Sequence, residues 1–462
     1  MVRILCNLPL ECFDEREALE GVELVTYGPA DRMNVDGVQF PFDLVFDPSN
    51  GSWDELVDLL PDGFRPDLLL IYWPDQEPLP AGLEHCPIPI VGVFSDYNLA
   101  LPYLAGLWPF FDVVLCDRAG QDLFRRLSFA DVRYWCQYAH KRPFHHLMPE
   151  VGARDIDIGF AGNLNPAVQR ERTSWIERLQ AMRRDLVEVE TVSGRHGLDY
   201  GRFLNRCKIG FNRSIRGEMN LRGFEVPACG AVLMMERDNL EVREFFEPDE
   251  ECVLYGDDDF EPLVLELLVD DARRERIARA GHRRVQEHRL GKRIGQLANL
   301  ARNPGPGRPR SSEADRVLGR AVAMILTWAP GEAVAAAALA ANHLAPDDPR
   351  TLNLLALATL RWRGADGGEA AWKLFCRALQ VSPSYVPAAT NLCALAHATN
   401  DPGLATSVQC EVDRRIASPS WFDLDGPTLP FGYAARAIDR SLALQSAVRD
   451  GDPQLFAATL VD

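Results

Sequence analysis

The sequence predicts two consecutive α/β units with mostly parallel sheets, followed by an all-helical region. Three observations carry this reading. Short apolar runs alternate with helical segments through the first 150 residues, the pattern restarts at Asp155, and beyond residue 312 it becomes Ala/Leu-rich and helical throughout. With 462 residues the chain is too long for one ordinary core. The expected units are 1–150, 151–302 and 312–462.

In the first unit, strand-length runs stand at 2–8, 22–27, 67–73, 89–96, 112–117 and 131–135. Several are continuously apolar, as strands buried on both faces require. The segment 118–128 has helical spacing. In the second unit, strands are expected at 155–163, 187–194, 208–214, 231–236 and 251–256, with helices at 169–186 and 200–208. Two helices over 260–288 close it. NPGPGRPRSSEADR (303–316) is a linker by composition. In the tail, Pro346 and Pro383 stand at the same point of a helix–turn–helix frame, 37 residues apart. That frame suggests tetratricopeptide-like repeats, a plain helical bundle being the alternative.

Composition excludes several classes. The formal net charge of −18 argues against a nucleic-acid or anionic-membrane partner, for which a basic face is the usual footprint. No run reaches the roughly 18 apolar residues of a membrane span. Eleven cysteines without a CxxC pair read as reduced thiols in a cytoplasmic protein.

In paired α/β units, ligands bind in the cleft at the carboxyl ends of the strands. Four segments of the second unit leave strands in that direction: Gly162 to Asn165, including Asn163; Ser193 to Gly197; Arg213 with Ser214; and NLRGFEVPACG before the run Ala231–Met235. In the last of these, Glu225 is expected at the N-terminus of a short helix or turn, placed to hold a ribose diol. The small residues Ala228, Cys229 and Gly230 allow close backbone approach, and Arg222 and Arg213 face a diphosphate. A capping Glu beside a solvated Arg is the competing account of the same spacing.

The segments DIDIGFAGNLNP, YGRFLNRCKIGFNRS, NLRGFEVPACGAVLMME and EECVLYGDDDFEPLVLELLVDDARRERIARAGHRRVQEHRL are similar to the CgeB-like (spore maturation protein) group of glycosyltransferases. The resemblance spans residues 155–289 and implies the GT-B architecture of two Rossmann-like domains. It also implies a nucleotide-sugar donor in the second domain, with Glu225 on the ribose, and catalysis without a bound metal or cofactor. A second Glu eight residues earlier usually supports the transferred sugar in related retaining enzymes. Here Gly217 stands there and Glu218 comes one residue later.

The first unit is expected to supply the acceptor side. Asp96, ending the run VFSDYN, is the best-placed base, with capping of the next helix as its alternative. His140, in YAHKRPFHH, is a minor candidate base, surface or hinge histidines being the first account of that stretch. The acidic YGDDDFEP reads as helix capping. The expected function is sugar transfer from a nucleotide-sugar donor to an acceptor, a protein or a cell-surface glycan, presented through the helical tail. A non-catalytic nucleotide-sugar or glycan-binding protein is the alternative.

Overall fold

The computed structural model describes residues 1–415 except 9, 31, 36–37, 75–76, 99–100, 102–106, 108–109, 128–130, 166–169, 186, 303–311, 328 and 400. Most of the expected linker and the end of the tail lie outside the described residues.

The first unit is built on a seven-stranded sheet in the order β5-β2-β1-β6-β7-β8-β9. Its strands are β1 (Val2–Cys6), β2 (Val22–Gly28), β5 (Leu44–Val45), β6 (Leu68–Tyr72), β7 (Ile90–Val93), β8 (Val113–Cys116) and β9 (Asp131–Tyr134), all paired in parallel. LLLIY, IVGV and VVLC are buried at every position because helices cover both faces of such a sheet. Each fully buried Leu, Ile or Val there contributes roughly 1.5–3 kcal/mol. A small antiparallel ribbon, β3 (Arg32–Val35) with β4 (Val38–Pro41), and the two-residue β5 were not expected from the sequence. Both are too short to show a periodicity. Helix α1 (Trp53–Asp58) starts at Ser52 with a reciprocal Ser52–Glu55 capping box, and α2 (Arg118–Leu127) links β8 to β9.

The second unit has a five-stranded parallel sheet in the order β11-β10-β12-β13-β14. These strands are β10 (Ile156–Ala161), β11 (Val189–Val192), β12 (Cys207–Phe211), β13 (Val232–Glu236) and β14 (Val253–Tyr255). Its helices are α3 (Arg170–Ala181), α4 (Gly197–Arg206), α5 (Leu221–Ala228), α6 (Val242–Phe245), α7 (Phe260–Val269) and α8 (Asp271–Val285). The chain steps from β10 to β11 on one side, then returns to β12 on the other. The crevice outside β10 and β12 is therefore the topological switch point, where ligands of open α/β sheets bind.

Helix α9 (Leu290–Arg302) comes after the second unit in sequence but packs on the first. Leu290, Ile294, Leu297 and Ala298 share a buried cluster with Val2, Ile4, Leu68 and Leu70. The Arg289 guanidinium bonds the fully buried Glu15 at 2.9 Å, and Trp135 Nε1 donates to the Arg293 carbonyl at 3.2 Å. The two parallel-sheet, Rossmann-like units are thus tied together by helix packing as well as by the chain.

The helical region comprises α10 (Glu313–Leu326), α11 (Gly331–Leu344), α12 (Pro349–Arg363), α13 (Gly368–Val381), α14 (Val386–Ala398) and α15 (Pro402–Arg415). Pro346 and Pro383 lie in the turns between α11 and α12 and between α13 and α14, as the frame predicts. Buried Asn391 donates to Asn353, one helical pair away, at 2.8 Å. The region is docked on the first unit. Val317, Leu318 and Ala321 belong to the same buried cluster as Leu83, Cys86 and Phe110. Arg316 donates to the Glu84 carbonyl at 3.0 Å and approaches Asp112 at 3.3 Å.

Candidate functional site

A cleft of about 600 Å³ opens between the two Rossmann-like units. Asp96, Tyr138 and Lys141 line it from the first unit and the seam, and the loops after β10, β11 and β12 line it from the second. Of the expected site residues, it brings together Asp96, Gly162, Asn163, Arg222 and Glu225. Arg213, Ser214, Gly230 and His140 lie elsewhere.

Helix α5 carries the central pair. Asn220 caps it, accepting from the Gly223 amide, so the helix begins before Arg222. Glu225 therefore sits mid-helix and not at a helix N-terminus, a correction to the sequence expectation. Three residues apart, Arg222 and Glu225 share one face of α5 and both reach the cleft. The helix ends in a Schellman turn: the Ala231 amide donates to the Val226 carbonyl, the Gly230 amide to that of Pro227, and Gly230 has φ of 74°. Gly230 is thus a helix terminator pointing away from the cleft, which accounts for a glycine there without a ligand.

Arg222 is held in place from three directions. Its Nε and Nη2 donate to the Ala161 carbonyl at 3.1 and 2.6 Å, its Nη1 donates to Asn212 Oδ1 at 2.9 Å, and its guanidinium lies 4.3 Å from the Phe160 ring centre. Arg172 of α3, not anticipated from the sequence, lies on the same ring at 5.6 Å and donates to the Arg213 carbonyl at 2.9 Å. Burial, and then the Arg222 charge, lowers the Arg172 pKa to about 10. Among the described residues neither guanidinium is in an ion pair. Two confined guanidiniums outside any ion pair can together accept a dianion. Arg213, expected to face a diphosphate, has its guanidinium paired with Asp238 at 3.2 Å and packed on Trp175.

Glu225 is 5% exposed, and its Oε1 is 3.7 Å from His145 Nδ1. That nitrogen also receives the Lys141 amide at 3.2 Å. The neighbouring Tyr200 phenol is pushed well above its ordinary pKa by burial and then by the Glu225 carboxylate. Glu218 lines the cleft too, its carboxylate accepting from the Arg216 amide at 2.7 Å. Ser214 is taken up by structure: its amide and hydroxyl donate to buried Glu236. His140 is 2% exposed in a separate small cavity with His146 and His282, and burial lowers its pKa to about 3. It is neutral and does not face the cleft. The described part of the segment after Asp96 starts a helix at Tyr97, and its continuation lies largely outside the described residues.

Arg216 crosses the cleft. Its Nε donates to Asp117 at 2.9 Å and its Nη1 to Asn98 at 2.5 Å, and it stacks on Tyr97 at 4.7 Å. Asp117 also accepts from the Tyr97 hydroxyl and the Gly120 amide, each at 2.7 Å. Nothing in RSIRGEMN marks Arg216 as different from its neighbours, because its partners are about a hundred residues away in sequence.

Residues 144–299 match the family model described as "Glycosyl transferase-like". No curated protein matches the chain. Solved structures that resemble it include an alpha-glucosyltransferase in complex with UDP-glucose and DNA (12% identity, 65% of this chain and 99% of that one, TM-score 0.46). Others are sucrose-phosphate synthase from Thermosynechococcus elongatus (11%, 66% and 100%, 0.41) and Anabaena HepE in complex with UDP and glucose (13%, 65% and 98%, 0.40). The matched stretch covers most of the second unit.

Proposed function

We propose that the protein is a nucleotide-sugar-dependent glycosyltransferase of the GT-B type. One observation carries the proposal: the guanidiniums of Arg172 and Arg222, with no carboxylate partner among the described residues, stand with the Glu225 carboxylate in one interdomain cleft at the switch point. Sugar transfer breaks the bond between the anomeric carbon and a diphosphate oxygen, and negative charge grows on the leaving diphosphate. Two guanidiniums held by carbonyls and a ring face need no reorganisation to receive that charge. Glu225 accepts hydrogen bonds from the ribose hydroxyls. Asp96, on the opposite wall, takes the proton of the acceptor hydroxyl.

We also propose that residues 155–289 belong with the CgeB-like group, and that the helical region is tetratricopeptide-like and presents a protein or glycan acceptor. The described cysteines form no disulfide, which suits a cytoplasmic setting. No helix among the described residues is long and apolar enough to cross a membrane. Gly217, at the position of the sugar-side acid, favours the second reading of a binding protein without turnover.

Titration calorimetry with UDP, GDP and the free nucleosides tests the site. Glu225→Gln keeps the shape but weakens charge-assisted bonds of about 1.5–3 kcal/mol, so affinity falls about ten- to hundredfold. Equal affinity of parent and variant for every nucleotide refutes the assignment. Hydrolysis of a nucleotide sugar separates an enzyme from a binding protein.

A further inference from the structure

The second unit has another cavity, at the opposite end of its sheet. About 550 Å³ opens beside the N-terminal ends of β10 and β12, under the last turn of α5. In a chain of net charge −18, its lining is inverted: Arg154, Lys208, Arg274, Arg279 and Arg283 face it against the single carboxylate of Glu275.

Three of these cations are matched nearby. Lys208 pairs with Asp157 at 2.6 Å, Arg279 with Glu275 at 3.0 Å, and Arg274 with Asp271. Two are not matched. The Arg154 guanidinium donates only to carbonyls, those of Cys207 at 2.6 Å, Cys229 at 2.8 Å and Leu204 at 3.2 Å, and burial lowers its pKa. Arg283 is exposed and has no ion pair or hydrogen bond among the described residues. A guanidinium whose charge is met by carbonyl dipoles alone keeps a full positive charge that an oxyanion can pair.

We propose that this cavity is a second ligand site, for a small molecule carrying two or more phosphate charges. Its volume is that of a metabolite pocket. Guanidinium forks spaced around it match phosphate oxygens on several sides. It is distinct from the cleft, yet it touches the same helix. Arg154 bonds the Cys229 carbonyl, and His282 Nδ1 is 3.1 Å from the carbonyls of both Pro227 and Ala228. An occupant therefore meets the C-terminal turn of the same helix that carries Arg222 and Glu225.

Pyrophosphate titrated calorimetrically into the full chain, at about 0.15 M salt to screen loose surface charge, tests the proposal. The parent is expected to bind at two places, the cleft and the second cavity. Arg279→Gln with Arg283→Gln, both on the exposed face of α8, weakens one of them about tenfold or more and leaves UDP binding unchanged. Arg222→Gln weakens the other. A doubly substituted protein that binds pyrophosphate as the parent does overturns the second site. An Arg222→Gln protein that does so overturns the reading of the cleft and leaves the second site standing. Citrate is the control for source: equal uptake of this carboxylate through the same two arginines overturns the assignment to phosphate.

Discussion

Gly162 and Arg222 share one space: a β-carbon on Gly162 would collide with the Arg222 Nη2 atom. The guanidinium reaches the Ala161 carbonyl only because the next residue has no side chain. Gly162 is not in the left-handed region, so alanine fits its backbone, and the change falls chiefly on Arg222, with a closer approach to the Phe160 ring beneath it, at 3.1 Å. Gly162→Ala is expected to displace the guanidinium and weaken nucleoside diphosphate binding about tenfold, with little effect on the free nucleoside. Calorimetry on both ligands checks this. Equal loss on both would mean that the cleft as a whole has shifted.

Arg216 holds the two units together. Its side chain is 6% exposed and that of Asp117 8%. Arg216→Ala leaves Asp117 buried beside Tyr97 without its cation, a loss of about 3–5 kcal/mol for a broken buried pair. Urea unfolding should show the interface opening at lower denaturant. An unchanged midpoint would show that solvent replaces the guanidinium at no cost.

Ending the chain at residue 311 removes Val317, Leu318 and Ala321 from a core they share with Leu83, Cys86 and Phe110. It also strips Arg316 from Glu84 and Asp112. The linker composition at 303–316, taken alone, would let the region be removed with donor binding spared. The shared core predicts instead a lower melting temperature and aggregation through the uncovered apolar face. A truncated protein that melts with the parent would establish the region as detachable.

Acid should destabilise the fold through its buried imidazoles. Burial lowers His140 to about 3 and His288 to about 4. The folded values lie below the unfolded value of about 6.5, so as pH falls the unfolded chain takes up protons first. Stability present at pH 7 is lost from about pH 6.5 down towards pH 4, at up to ~1.4 kcal/mol per pH unit for each group. Glu241, raised to about 7 by burial, acts in the opposite direction over part of that range. His140→Gln should flatten the fall in melting temperature between about pH 7 and pH 5. An identical slope would show that His140 gains its proton inside the fold.

Local patterning determined much of this protein. Continuous apolar runs such as LLLIY and VVLC, four or five residues long and rich in Val, Ile and Leu, fit strands covered on both faces, so the parallel sheet they belong to was legible. So was the turn frame at Pro346 and Pro383, because a helical hairpin needs a break at a set interval. The segment carrying Arg222 and Glu225 was legible as one that faces the cleft, which both residues line, since the strand it precedes is marked locally.

Tertiary structure decided the rest. Gly230 and His140 have the right chemistry, but a Schellman turn and a buried cavity turn them away from the cleft. Arg172 and Arg216 lie in segments of ordinary charged sequence and come to line the cleft only in the fold, where Arg216 meets Asp117 and Asn98 from about a hundred residues away. The return of α9 to the first sheet and the docking of α10 against Glu84 and Asp112 are likewise set by long-range burial. Periodicity reports which face of an element is apolar. Which other element covers that face depends on the free energy of the whole packed chain.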